Sequence, residues 1–154
     1  QRRLASLKWT QGVEAQNQFS DGFPLLVTST ASLEGLNRRL KQQGLDAVGM
    51  ERFRPNIVLS GIDEHDEDRI AQIHITTADG ADVLKPVKPC ARCPIPNIDP
   101  ATASSSPEVG DMLQTYRVDQ RVGGITFGMN AITVDGVDRV LRVGQAVGGA
   151  LQFD

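Results

Sequence analysis

The sequence predicts a mainly β fold, a barrel or strongly bent sheet with about two helices. Between residues 71 and 76, apolar and polar side chains alternate with the period of a half-buried strand. Seven of the 15 glycines lie after residue 120, between short β-branched runs, and glycines at bends are typical of curved or closed sheets. Five prolines between residues 86 and 100 predict a stiff, extended loop through which no regular ladder or helix runs.

Length and composition already exclude several classes of protein. The chain has 154 residues, 40% of them hydrophobic and 23% charged, which suits a single globular domain. Its net charge of −3 argues against a nucleic-acid partner. No apolar run approaches the roughly 18 residues of a membrane-spanning helix, and the first residues lack the apolar core of a signal peptide. We therefore expect a cytoplasmic protein without a membrane span.

The first strand and helix are predicted from a short apolar run followed by leucines at helical spacing. Residues 23–28 are apolar and β-branched and predict a strand. Thr30 is a candidate N-cap, leucines at 33, 36 and 40 share one face, and Gly44 is a candidate residue just past the C-terminus. A further strand is predicted at residues 56–60.

Residues 63–68 contain five acids and predict a solvated turn. The run lacks the glycine and the ligand spacing of a calcium loop. After the alternating strand, Asp79-Gly80 predicts a hairpin turn, and residues 83–87 predict the returning arm.

The second helix is predicted from residue 107 to about residue 116. Ser106, Pro107 and Glu108 give an N-cap, a proline at the first helical position and a first-turn acid. Gly110 weakens this helix by about 1 kcal/mol relative to Ala. The last predicted strands are at residues 125–127, 131–134, 137–143 and 146–153.

The first group of residues that could bind a ligand is Arg52-Phe53-Arg54-Pro55-Asn56. Pro55 favours an extended backbone at Arg54, which would place Arg52, Arg54 and Asn56 on one face and Phe53 on the other. Two guanidinium groups and an amide suit a phosphate or a carbonyl-rich ring. The alternative is two surface arginines that precede a core strand.

The only two cysteines, Cys90 and Cys93, form the second group. Lys88 and Arg92 place positive charge beside the thiols, which favours the thiolate, and a thiolate in a rigid loop suits a soft metal. Three interpretations stay open from spacing alone: a redox or metal-binding thiol, two inert cysteines, or a zinc site completed by the two histidines.

Several segments of this chain, taken in order, resemble the MOSC domain, the C-terminal domain of molybdenum-cofactor sulfurases, in its amidoxime-reducing-component branch. The resemblance runs from about Phe19 to Val147, and its most specific elements are R-F-R-P-N and K-P-C-A-R-C. The matching segments are Phe19-Ser20-Asp21-Gly22-Phe23-Pro24-Leu25-Leu26, Ala31-Ser32-Leu33 with Leu36-Asn37, Arg52 to Val58, Lys88 to Cys93, Asp99-Pro100, and Phe127-Gly128-Met129-Asn130.

The resemblance implies a MOSC or pyruvate-kinase-barrel-like β-barrel that binds a molybdenum–pterin cofactor. Cys93 corresponds to the family's metal ligand and catalytic cysteine, whereas Cys90 and Lys88 correspond to supporting residues. Arg54 and Asn56 correspond to residues that contact the cofactor. The other expected cofactor-binding residues are Arg52, Ala91, Arg92, Gly22 and Phe23.

Members of this branch usually carry an N-terminal β-rich half, so we interpret residues 1–18 as a linker or a remnant of such a half and residues 19–154 as the MOSC-like domain. The implied function is reduction of N-hydroxylated or N-oxide-type small molecules, with electrons from a partner protein or domain. The alternative is a non-catalytic carrier of the cofactor or of a Cys93 persulfide.

Overall fold

The computed structural model describes residues 25–92, 95–135 and 141–151, together with the backbone of 3–4 and 16–17. Its helices are α1 (Thr30–Gln42) and α2 (Glu108–Tyr116), and single 3-10 turns occur at Met50–Arg52, Asp66–Arg69 and Ile95–Asn97. The strands are β1 (Arg3–Leu4), β2 (Gln16–Asn17), β3 (Leu25–Ser29), β4 (Ile57–Leu59), β5 (Ile70–Thr77), β6 (Gly80–Ala91), β7 (Val118–Asp119), β8 (Gly124–Asp135) and β9 (Val147–Leu151).

Seven strands form one curled, half-barrel sheet, which confirms the predicted mainly β fold with two helices. The order across the sheet is β4-β3-β8-β6-β5-β9, and β7 pairs with β8 off this path. Within the described residues, β3 pairs with β4 in parallel and the other neighbours are antiparallel. β1 and β2 form a separate two-stranded sheet, and the predicted boundary at residue 18 stays a prediction.

Two apolar clusters form the core. The cluster made of strand residues consists of Val27, Leu59, Ile70, Ile73, Ile75, Leu84 and Ala131. The cluster beneath the helices consists of Leu36, Leu40, Phe53, Val109, Met112, Leu113 and Phe127. The predicted alternation in β5 is confirmed, because Ile73 and Ile75 are buried whereas Gln72 and His74 are exposed.

Helix α1 follows β3 directly, as predicted, with a cap one residue earlier than expected. The Ser29 hydroxyl accepts the backbone N–H of Ser32, so Ser29, and not Thr30, is the N-cap. Gly44 adopts a φ of +74°, which confirms it as the left-handed residue after the helix.

The prediction that no ladder passes through the proline-rich segment is wrong for its first part. β6 continues to Ala91 and pairs with β8 throughout, with Pro86 opposite Ala131 and Pro89 opposite Met129. The register shifts between residues 86 and 88 and again between 89 and 91. Bulges accommodate prolines because they interrupt the ladder where the missing N–H would have been needed.

β8 is one bent strand of 12 residues where two short strands were predicted. Gly128 makes this continuity possible with a φ of +82°. A Cβ at this position would lie 2.8 Å from the Val27 carbonyl oxygen, so the glycine also permits the close approach of β3. Residues 141–143 are not a strand, contrary to the prediction for 137–143, and residues 136–140 lie outside the described part.

The acidic run at residues 63–68 is not the solvated turn that was predicted. Glu67 is fully buried and accepts a hydrogen bond from the Ser32 hydroxyl at 2.5 Å. The Asp68 carboxylate accepts a hydrogen bond from Arg117 at 2.7 Å, and Glu64 pairs with Arg38 and Arg39. These three acids pack against the fold because cations and a hydroxyl group from distant parts of the chain pair with them.

His65 lies at the centre of this polar cluster with a left-handed backbone, φ +60°. Its ring lies 5.8 Å from the Phe127 ring and 5.9 Å from the Tyr116 ring, and only 13% of its side chain is exposed. Burial, reinforced by the nearby Arg117 guanidinium, lowers the pKa of His65 from 6.5 to about 4. The imidazole is therefore neutral at neutral pH.

This burial makes the stability of the fold depend on pH between about 6.5 and 4. The unfolded chain takes up a proton on His65 as the pH falls through 6.5 whereas the folded chain does not. The contribution of His65 to stability therefore decreases by up to about 1.4 kcal/mol per pH unit. We expect His65→Asn, which tolerates the left-handed backbone, to flatten this slope in urea unfolding. The exposed His74 provides the control, and an unchanged slope in His65→Asn would contradict the prediction.

Candidate functional site

Segment 52–56 is not extended, contrary to the prediction. Met50–Arg52 forms a 3-10 turn, and Arg54 has a φ of +52°. Phe53 is 1% exposed and stacks on Phe127 with ring centroids 3.9 Å apart. Burial of this ring fixes the turn, so the side chains of Arg52, Arg54 and Asn56 do not share the single strand face that was expected.

Two of the three arginines near this segment bind backbone carbonyl groups. Arg92 donates to the Phe127 carbonyl oxygen from Nε at 3.1 Å and Nη2 at 2.9 Å, and to the Phe53 carbonyl oxygen from Nη1 at 3.1 Å. Arg52 donates to the Pro96 carbonyl oxygen from Nη1 at 3.2 Å. Segment 52–56 is thereby joined to the end of β6 and to the 95–97 turn.

Arg54, by contrast, is exposed. Asn56 is also exposed, yet it makes two hydrogen bonds with the backbone of Leu26. Its Oδ1 accepts the Leu26 N–H at 2.7 Å, and its own N–H donates to the Leu26 carbonyl oxygen at 3.0 Å. This pair extends the parallel β3–β4 ladder and fixes the backbone two residues after Arg54.

Of the remaining expected site residues, the structure describes Ala91 only. Ala91 is exposed at the C-terminal end of β6, opposite Thr126 of β8. Cys90 is half-buried beside it, with Sγ 3.8 Å from the Ala91 carbonyl oxygen. Cys93, Gly22 and Phe23 lie outside the described residues, so their placement stays a prediction.

A groove of about 1000 Å³ runs between β4 and β9, the two strands at the ends of the sheet order. Its floor includes Ile70, Ile73 and Ile75 of β5. Asn56 is the only described member of the expected site that lines it. The groove and the residues around Arg92 are therefore different places in the molecule.

Asn97 is a structural residue that the sequence analysis missed. Its Oδ1 accepts the Gly110 N–H at 2.8 Å and so caps α2 from outside the helix. Pro107, and not the predicted Ser106, occupies the N-cap position, and it makes no side-chain capping bond. Gly110 in the first turn was the only signal available in the sequence, because Ser106 was predicted to be the cap.

A family model described as "MOSC domain" matches residues 14–148 of this chain. The chain belongs to the MOSC domain family. The described MOSC residues therefore include the R-F-R-P-N turn and the end of β6, joined through Arg92.

Curated relatives of this MOSC chain include amidoxime-reducing components and a molybdenum cofactor sulfurase. Mitochondrial amidoxime-reducing component 1 from Mus musculus is 39% identical over 104 residues, which cover 67% of this chain and 28% of that protein. Mitochondrial amidoxime reducing component 2 from Homo sapiens is 36% identical, covering 67% of this chain and 29% of that protein. Molybdenum cofactor sulfurase from Caenorhabditis briggsae is 29% identical over 116 residues, covering 75% of this chain and 15% of that protein.

The chain thus spans less than a third of the length of the curated relatives it matches. Within the part of the chain that the structure describes, no helix is long and apolar enough to cross a membrane. The expectation of a cytoplasmic location stays a prediction, and the amidoxime-reducing components from mouse and human are named as mitochondrial proteins.

The Asn97 cap gives a prediction for the end of the site nearest α2. Gly→Ala within a helix ordinarily stabilises by about 1 kcal/mol, but a Cβ at Gly110 would lie 3.1 Å from Asn97 Nδ2. We expect Gly110→Ala to gain little alone and Asn97→Ala to lose about 1 kcal/mol. In the Asn97→Ala background, Gly110→Ala should recover most of its gain. A urea-unfolding double-mutant cycle measures this coupling, and strict additivity would contradict it.

Proposed function

We propose that this MOSC chain is the molybdenum-cofactor-binding domain of an oxidoreductase that reduces N-hydroxylated or N-oxide-type small molecules. The observation that supports it is the placement of Arg54, an exposed guanidinium, on a turn fixed to the end of β6 by the bonds of Arg92. The family match and the relatives named amidoxime-reducing components are the reason why we interpret this placement as part of a cofactor site.

The chemistry of the described residues fits an anionic pterin. A guanidinium group binds phosphate oxygens in a planar, two-pronged geometry, and Arg54 is exposed. Asn56 would add an amide beside it, on a backbone already fixed by Leu26. Ala91, exposed and small, would leave room for the ligand at the end of β6.

We propose Cys93 as the metal ligand and catalytic cysteine. A deprotonated thiol is a preferred ligand of soft metal centres. When bound, the molybdenum centre would supply a two-electron reduction of the N–O group of the substrate. The chain's own contribution would be to hold the cofactor through Arg54 and Asn56 and to present the Cys93 sulfur. We include Gly22 and Phe23 in the proposed site on the resemblance alone.

Two kinds of partner belong to this proposal. The substrate would be a small molecule, and electrons would arrive from a donor protein or domain, because the chain's two cysteines are too few for an iron–sulfur cluster. The curated relatives are more than three times as long as the matched region, so other parts of such a protein would complete the cofactor site.

A carrier of cofactor or sulfur is the second candidate. The match to molybdenum cofactor sulfurase over 75% of this chain favours it. In this version Cys93 would hold a persulfide sulfur and no substrate would be turned over.

Molybdenum content per chain tests the proposal. We expect protein made in cofactor-producing cells to contain molybdenum, Cys93→Ser to lose most of it, and Cys90→Ala to keep it, because only Cys93 is the proposed ligand. Equal molybdenum in wild type and Cys93→Ser would contradict the ligand assignment. Cyanide-releasable sulfur on Cys93 without bound pterin would instead support the carrier.

A further inference from the structure

The chain is attached to segment 52–56 on both sides of residues 93–94. On the N-terminal side, Arg92 donates to the Phe53 carbonyl oxygen. On the C-terminal side, the Pro96 carbonyl oxygen accepts from Arg52. The two attachments are reciprocal. Segment 52–56 supplies one arginine and one carbonyl group, and the segment around residues 92–96 supplies the other arginine and the other carbonyl group.

The Arg92 attachment needs the shape of a guanidinium and not only its charge. Three N–H groups of Arg92 reach two carbonyl oxygens on different elements. Its Cζ also lies 5.3 Å from the centroid of the Phe53 ring, within cation–π range. A lysine ammonium would preserve the charge but could not reproduce this planar arrangement.

These bonds act on the backbone that carries Arg54. The Phe53 carbonyl group belongs to the peptide unit that leads into Arg54. The φ of +52° at Arg54 is unfavourable for a side chain of its size. Arg92 therefore holds this peptide unit through its carbonyl group, and the buried stack on Phe127 holds the side chain of Phe53.

We infer that Arg92 and Arg52 are positioning residues that fix the turn bearing Arg54, and that Arg54 is the arginine that meets the anionic ligand. For the identity of that ligand, this inference rests on the proposed function. It changes the expected roles of Arg52 and Arg92, which the family resemblance places among the cofactor-binding residues.

Arg92→Lys in the full chain is the decisive variant. We expect amide hydrogen exchange across residues 50–56 to accelerate roughly tenfold or more, since charge-assisted bonds to two carbonyl groups are lost. Exchange in the β5–β6 hairpin should stay unchanged. Pterin content, measured as the fluorescent oxidised pterin, should fall several-fold although the charge is preserved.

Two further variants separate positioning from ligand binding and from general destabilisation. Arg54→Gln should lose pterin while exchange across 50–56 stays at the wild-type rate. Arg117→Lys is the matched control, because Arg117 also donates to a β8 carbonyl group, that of Thr126, and to the Asp68 carboxylate. It should lower stability without accelerating exchange across 50–56 and without loss of pterin beyond the fraction unfolded.

If amide hydrogen exchange across residues 50–56 is as slow in Arg92→Lys as in the wild type, the inference is overturned whatever the pterin content. Equal pterin loss in Arg117→Lys at equal stability would also overturn it. If wild-type protein carries no pterin even when the chain is part of a longer protein that completes the cofactor site, the proposed function fails. The exchange comparison alone then supports or overturns the positioning role.

Discussion

The bonds from Arg92 to the Phe53 and Phe127 carbonyl groups connect three separate parts of the fold. They join the end of β6, the turn before β4 and the bend of β8. The stacked rings of Phe53 and Phe127 lie beneath the same junction. Buried carbonyl groups require donors, and one side chain supplies them to two elements that do not pair with each other. The geometry around Arg54 follows from this junction.

The predictable parts of the fold were those in which local pattern and tertiary environment agree. The alternation in β5, the leucine face of α1 and the left-handed Gly44 are all local signals that the structure confirms. The prolines of β6 and the acids at residues 63–68 were misinterpreted for a common reason. Their usual environment is solvent or loop, and here bulges, Ser32 and Arg117 provide an exceptional one. Sequence alone does not show which distant side chain will contact a given residue in the folded protein.

The candidate site shows the same division between residue type and placement. Arginine and asparagine types drew attention to segment 52–56, and their role there stays a prediction. The extended backbone inferred from Pro55 was wrong, because burial of Phe53 imposes a turn. The three arginines look equivalent in the sequence. Only their partners distinguish them, since Arg52 and Arg92 bind carbonyl groups and Arg54 faces solvent. Asn97 was missed because it caps a helix that begins 11 residues later.

The central position of β8 has a consequence for the order in which the chain can fold. β3 pairs with β8 although about a hundred residues separate them, and Val27 lies opposite Met129. Contacts of such long sequence separation form slowly, because a large loop must close before they contribute. During synthesis, β3, β4 and the hairpin of β5 and β6 are complete before β8 leaves the ribosome. The apolar faces of these strands stay uncovered until β8 joins the sheet. The nascent chain is therefore most prone to aggregation in the time between the synthesis of β6 and that of β8.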